Sequence, residues 1–268
     1  MTPSFIASQM QTEPSSNLEQ RIASLFVGDL RHFAGQLKIG PALPQTVRGD
    51  QLLEPGMMAL IQRQFDAQCG ETDPRVVVSI WAKMHFAKVL PSWMTTHLLL
   101  DWSLPIRFDE VSFGMTVDGG TTFLQVPHEG TPSIQSHDDF APYEDLVFRH
   151  LAPCIELLSA RSRVTERVFW NSASNYFEAM VLRLEPKYGD RASMISARRL
   201  INSPCLADGR ANPLFRPVTY EQEGYLLVRR RRVCCMRYRV PDGIFCKNCP
   251  SPLRSPAQAQ TPYGSSLE

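Results

Sequence analysis

Four cysteines crowd into sixteen positions near the C-terminus, as Cys234-Cys235, ten intervening residues, then Cys246-Lys247-Asn248-Cys249-Pro250. A chain that brings four thiols together over so short a span must fold locally around whatever they hold. The adjacent pair is the constraining part. Zinc sites space their cysteines by two or more residues, and successive side chains on an extended strand face opposite ways. For Cys234 and Cys235 to serve one centre, the backbone has to kink at that point. A two-iron cluster, whose irons each take two thiolates, is an easier target for an adjacent pair than a single ion. An iron–sulfur cluster therefore leads. A closed four-cysteine zinc knob and an incidental group of thiols stay open as alternatives, because spacing alone does not fix a metal.

Compartment bears on the choice. The first ten residues lack a basic region followed by a sustained apolar run, so no secretory signal is expected. No segment reaches the ~18 apolar residues of a membrane span; the best, Val89 to Leu100, is interrupted by Pro91, Ser92 and His97. A reducing cytoplasm is the expected location, and there clustered cysteines favour metal over disulfides. Cys69, Cys154 and Cys205 stand alone and read as small buried residues.

The chain has 268 residues, 43% of them hydrophobic, with a net charge of +1. That excludes nucleic-acid or membrane-surface binding driven by overall charge. Residues 1–16 and 254–268 read as disordered tails. Residues 17–224 read as one mainly helical α+β domain, and residues 225–253 as a C-terminal metal-binding segment.

Within the domain, Leu18, Ile22, Leu25, Phe26, Leu30 and Phe33 share a helix face, with a cap near Ser16 or Asn17. A second helix starts at Pro55 and runs to about Ala67. A third covers Val76 to about Val89, and Pro91 opens a new segment. Val111–Val117 and Thr121–Val126 alternate at period two around Asp118-Gly119-Gly120, which predicts a hairpin and a small antiparallel sheet. Helices return from Pro142 to about Ala160, from Thr165 onward, and from Ser193 to Ile201. Tyr225–Val233 is expected as a strand feeding the cysteines, and Pro241-Asp242-Gly243 as a turn between the two cysteine pairs.

The stretch from Arg229 to Pro250 resembles the C-terminal signature of the FhuF-type siderophore ferric-iron reductases, whose hallmark is Cys-Cys-x10-Cys-x2-Cys. The spacing matches in full, and the basic residues before the pair, Tyr238 after it and Pro250 fit as well. Trp170-Asn171 and Asn212-Pro213-Leu214 add a weaker likeness. Lys247-Asn248 depart from the family, where a small or acidic residue is expected. The resemblance implies a cytoplasmic [2Fe–2S] protein with Cys234, Cys235, Cys246 and Cys249 as ligands. It also implies one-electron reduction of siderophore-bound iron(III).

Arg229, Arg230, Arg231 and Arg232 form the one dense basic run, followed by Arg237 and Arg239. The plain reading is the solvated face of a strand. Beside a cluster they would instead raise its potential, attract an anionic siderophore, or dock an acidic donor. Trp170 and Asn171 read as core, with a siderophore-pocket role as the alternative. His137-Asp138-Asp139 is a weak metal candidate, better read as a polar loop. No G-x-G-x-x-G or Walker pattern occurs, so electrons are expected from a partner such as a ferredoxin or a reductase. No nucleic acid partner and no stable membrane insertion are expected. Two rival functions remain: a zinc-stapled binding module using Arg229–Arg232, and an iron–sulfur redox sensor.

Overall fold

The computed structural model describes residues 15–133, 138–241, 243 and 245–251. The tails expected at 1–16 and 254–268 lie outside these residues, apart from Ser15 and Ser16.

The molecule is organised around α3 (Pro74–Leu100), a helix of 27 residues. It carries apolar residues on every side, the mark of a helix enclosed by neighbours. Asp73 caps its start by accepting from Arg75 N–H. Pro91 does not end it, contrary to the expected break. The segment is buried from Val89 to Leu99. Its packing outweighs the ~3 kcal/mol that an internal proline costs. The hydroxyl of Thr95 donates to the Pro91 carbonyl at 2.7 Å.

Preceding α3 are α1 (Ser15–Leu25) and α2 (Pro55–Cys69). The single helix expected over Leu18–Phe33 is split: Gly28 adopts φ +55, and a 3-10 turn follows at Gly28–Phe33. The apolar face survives the break, with Leu18, Ile22, Phe26, Leu30 and Phe33 all buried.

A four-stranded sheet covers one side of α3. The expected hairpin forms its centre, as β4 (Ser112–Met115) and β5 (Thr121–Val126), paired antiparallel. Gly119 takes φ +82 in the turn, and its carbonyl accepts from Trp81 Nε1 at 2.8 Å. Two short strands extend it, β1 (Leu37–Ile39) parallel to β5 and β2 (Thr46–Arg48) antiparallel to β4. The fragments β3 (Trp102–Ser103) and β6 (Thr131–Pro132) pair separately.

The helix expected from Pro142 is three pieces: a 3-10 turn at Ala141–Tyr143, a π-helical stretch at Asp145–Leu151, and α4 (Ala152–Ser162). The cause is Pro153, which has no N–H to offer the Arg149 carbonyl one turn back. Phe108 N–H donates to that carbonyl instead, at 2.8 Å. Next come α5 (Glu166–Tyr188) and α6 (Ala192–Asn202), close to expectation. α5 lies along α3 and completes the core. No helix among the described residues is long and apolar enough to cross a membrane.

Of the three buried histidines, His85, His97 and His150, the first and last are the most fully enclosed. His85 Nδ1 meets Thr121 Oγ1 at 2.9 Å, and His150 Nδ1 meets the Ile106 carbonyl at 2.6 Å. Burial pushes both imidazoles down from 6.5, His85 to about 3 and His150 to about 4. Both are neutral in the fold, whereas an unfolded chain protonates them near 6.5. Stability is therefore full above 6.5 and is lost as pH falls toward the folded values, by ~1.4 kcal/mol per pH unit for each ring. Denaturant midpoints should start to drop between about pH 6.5 and pH 5, before most carboxylates titrate. A flat profile there would contradict the neutral-histidine core.

Candidate metal centre

After α6 the chain forms a second hairpin, β7 (Val218–Glu223) and β8 (Leu226–Arg231), paired antiparallel from Val218↔Arg231 to Glu223↔Leu226. β8 is the expected feeder strand; its partner β7 went unforeseen, because Thr-Tyr-Glu-Gln-Glu carries no apolar alternation. The pairing divides the arginine run. Arg229 and Arg231 turn toward α5, while Arg230 turns away.

α5 receives them with a polar stripe on an otherwise apolar helix. Arg229 Nε donates to Glu178 Oε2 at 2.8 Å, with side-chain exposures of 10% and 6%. Tyr220 donates its hydroxyl to the other Glu178 oxygen. Arg231 is only 2% exposed. Its Nε donates to Asn171 Oδ1 at 3.2 Å and its Nη2 to Ser172 Oγ at 2.7 Å, while Nη1 has no partner. Asn171 also receives Val233 N–H at 3.2 Å and donates to the Pro217 carbonyl at 2.7 Å. It thus latches both the start of the hairpin and the residue before the first cysteine. Arg230 forms ion pairs with Glu221 and Glu223, and its Nη1 donates to the Cys249 carbonyl at 3.2 Å. Arg239 reaches Asp73 at 3.7 Å, at the start of α3. Arg237 opens the 3-10 turn after the first cysteines.

The four cysteines meet in one cluster, with Phe245 packed against it. The kink that adjacency demands lies at Met236, which takes the left-handed conformation, φ 62 and ψ 5. It turns backbone N–H groups onto the sulfurs. Met236 N–H donates to Cys234 Sγ at 3.3 Å, Ser251 N–H to Cys249 Sγ at 3.4 Å, and Arg237 N–H faces Cys235. Three backbone amides thus each face a different sulfur, where negative charge on the thiolates would be stabilised. Of the expected turn between the pairs, Asp242 lies outside the described residues.

The thiols come as two pairs. Cys235 Sγ and Cys246 Sγ lie 3.3 Å apart, and Cys234 interacts with Cys249. Among the described residues no three His, Cys, Asp or Glu side chains close on a single ion. The contact with Cys246, with Arg231 and Lys83 nearby, draws the Cys235 thiol down to about 5 despite its burial. The same contact and burial push Cys246 up. Burial raises Cys234 to about 11.

Lys83 escaped sequence analysis. It sits on α3, 6% exposed, with Nζ 3.9 Å from Cys246 Sγ. Ser79, one turn earlier, donates to the Cys235 carbonyl at 3.0 Å. The signal was a lysine in a helix that is apolar on all sides; of its two, Lys83 is buried and Lys88 half-buried. Asn175 and Glu178 were missed for a similar reason, as polar positions inside a buried helix.

The residues fit a [2Fe–2S] group. Four thiolates around two iron(III) and two sulfide ions make a dianion, and a buried anion needs buried cations. The protein supplies two, Lys83 and Arg231, one of them with an unsatisfied N–H. The weak candidate His137 lies outside the described residues, and Asp139 pairs with Arg199. Of the lone cysteines, Cys154 is buried, Cys69 half-buried and Cys205 exposed, so the expected burial fails for Cys205.

Removing Glu178 would leave Arg229 buried and unpaired. Glu178→Ala should lose ~3–5 kcal/mol of unfolding free energy, and adding Arg229→Leu should restore much of it. Denaturant titration of the three proteins checks this.

Residues 120–228 match the family described as ferric iron reductase FhuF-like transporter, and residues 231–250 match the FhuF 2Fe-2S C-terminal domain. The ferric siderophore reductase of Escherichia coli (strain K12) is 22% identical over 173 residues, covering 65% of this chain and 64% of the relative. The match thus leaves about a third of that relative's length unaccounted for. ATP-bound aerobactin synthetase IucA from a hypervirulent pathotype of Klebsiella pneumoniae shares the fold alone. That likeness has a TM-score of 0.50 and 12% identity over 74% of this chain and 48% of the other. Residues 120–228 thus match the FhuF-type family, and residues 231–250 match that family's [2Fe–2S] C-terminal domain.

Proposed function

We propose that the chain is a cytoplasmic ferric-siderophore reductase in which Cys234, Cys235, Cys246 and Cys249 hold the [2Fe–2S] cluster. The observation that carries this is the pairing of the four thiols beside backbone amides and two buried cations. When bound, the cluster supplies a one-electron carrier. The chain's own residues do the rest. Asn171, Asn175 and Asn248 fix the segment against α5, the Met236 turn aims N–H groups at sulfur, and Lys83 and Arg231 offset its negative charge.

The substrate is iron(III) gripped by hard hydroxamate, catecholate or carboxylate oxygens. Adding one electron gives iron(II), which those oxygens hold less tightly, so iron leaves and the chelator survives. Cys234 is the half-buried member of the four; the other three are buried. Its side of the segment is therefore the face on which a ferric complex or an electron donor approaches. With no nucleotide motif in the chain, the donor is a partner protein such as a ferredoxin or a reductase.

Purified protein should be reddish-brown, contain two iron and two sulfide per chain on the order expected for one cluster, and show an EPR signal after reduction. A colourless protein holding zinc would support the stapled-module reading instead. An iron–sulfur protein that leaves every ferric chelate unreduced would point to a sensor. Cys234→Ser and Cys235→Ser should each lower iron content and visible absorption. Wild-type iron content in both would overturn the ligand set.

Removing the Lys83 charge favours the less negative, oxidised state. Lys83→Gln should therefore shift the midpoint potential downward with the cluster spectrum preserved, read by redox titration. An unchanged potential would show that Lys83 does not act on the cluster.

A further inference from the structure

Beside Cys234 the surface is hollowed. Two adjoining depressions, of about 480 Å³ and about 520 Å³, share Arg167, Arg232, Val233 and Pro250. Trp170 and Phe215 wall the first, which ends on Asn171 and the buried Arg231. The second reaches Cys234 and Tyr238. The volumes fall in the range of small-molecule sites, and both depressions open broadly to the surface.

The charge of the lining is one-sided. Arg167, Arg216, Arg231 and Arg232 face a single carboxylate, Glu221, and Arg230 already holds Glu221 at 2.8 Å. Arginines elsewhere, such as Arg75, Arg191, Arg198 and Arg210, engage neighbouring carboxylates. None of the four in the hollow does, and only Arg231 has close side-chain partners, Asn171 and Ser172. Arg167 makes no hydrogen bond or ion pair among the described residues. Arg216 lies over the Phe215 ring at 5.3 Å. Arg232 makes one long contact, Nη1 to the Arg216 carbonyl at 3.5 Å. Arg216 also holds a left-handed backbone, φ 41, which a side-chain-bearing residue adopts at a cost. The Asn212–Leu214 turn and the Arg216 N–H bond to the Ile201 carbonyl, 3.0 Å, hold it there.

We infer that this hollow binds the ferric complex and selects those with net negative charge, rich in catecholate or carboxylate oxygens, through Arg167, Arg216 and Arg232. The inference rests on the reductase reading and narrows its substrate class. Guanidinium groups stay charged at every working pH and offer planar pairs of N–H donors that match paired anionic oxygens. An uncharged trihydroxamate complex gains nothing comparable, while Trp170 and Phe215 give either kind an apolar wall.

Gallium(III) copies iron(III) complexes in shape and charge and resists reduction, so binding separates from turnover. The holoprotein would be titrated calorimetrically with a hexadentate gallium(III) tris-catecholate, a trianion, and with an uncharged gallium(III) tris-hydroxamate. The trianion should bind at least about tenfold more tightly at low salt, with the advantage shrinking as salt rises. Arg167→Gln and Arg216→Gln, both distant in sequence from the cysteines, should each weaken the trianion about fivefold to tenfold. Binding of the uncharged complex and the cluster absorption should not change. Trianion binding with no reduction of its ferric counterpart would support the site and sink the reductase reading. Reduction of both ferric complexes with equal gallium affinities, indifferent to either substitution, would overturn the site and leave the reductase reading standing. Arginine variants that slow only electron delivery by an acidic donor protein would also overturn it, assigning the hollow to the donor.

Discussion

A guanidinium buried beside four thiols organises the C-terminal half of this protein. Arg231 is almost fully enclosed, and enclosing a cation without compensation is costly. Asn171 and Ser172 satisfy two of its nitrogens. The third faces a region where negative charge is still needed. The same Asn171 clamps Pro217 and Val233, so one amide on α5 sets the height of the hairpin and the exit toward Cys234. Disturbing that contact would move the strand, the first cysteine pair and the floor of the hollow together.

The arrangement also explains why the core contains so many polar groups. α3 and α5 are the two most enclosed helices, yet Lys83, Asn171, Asn175 and Glu178 lie on them. Each meets the hairpin or the cysteine segment. The helices serve as a wall with fixed sockets, and the segment carries matching side chains. Rigid elements thereby place groups that a loop alone would leave loose.

Much of this was legible in the residues. The α+β class, the Asp118-Gly119-Gly120 hairpin and α2, α5 and α6 follow from periodicity and turn chemistry. The cysteine spacing pointed to a two-iron cluster and to a kink, which occurs at Met236. Other features depend on distant packing. Pro91 sits inside a helix because its surroundings outweigh its cost, and Pro153 makes a π-helical stretch because Phe108 supplies the missing donor. Strands β1, β2 and β7 are too short or too polar to show alternation. The arginine run was visible as charge, but its division into Arg229 on Glu178, Arg230 on β7 carboxylates, Arg231 buried and Arg232 at the hollow needed the strand register. Arg167 and Arg216 lie 49 residues apart in number and share the hollow only through the fold.

Arg231 N–H donates to the Asn248 carbonyl at 2.8 Å, and the Asn248 side chain is held by Asn175. The strand before the first cysteines is therefore stitched to the turn between the last two, closing the intervening loop by backbone alone. Part of the entropy of that closure is met by the fold itself. In small zinc-dependent modules the metal must supply it, and those modules unfold when stripped. Here one main-chain hydrogen bond and the Asn175–Asn248 contact carry part of that closure, so the last two cysteines are tied to the hairpin by the protein's own bonds and not by an inorganic core alone.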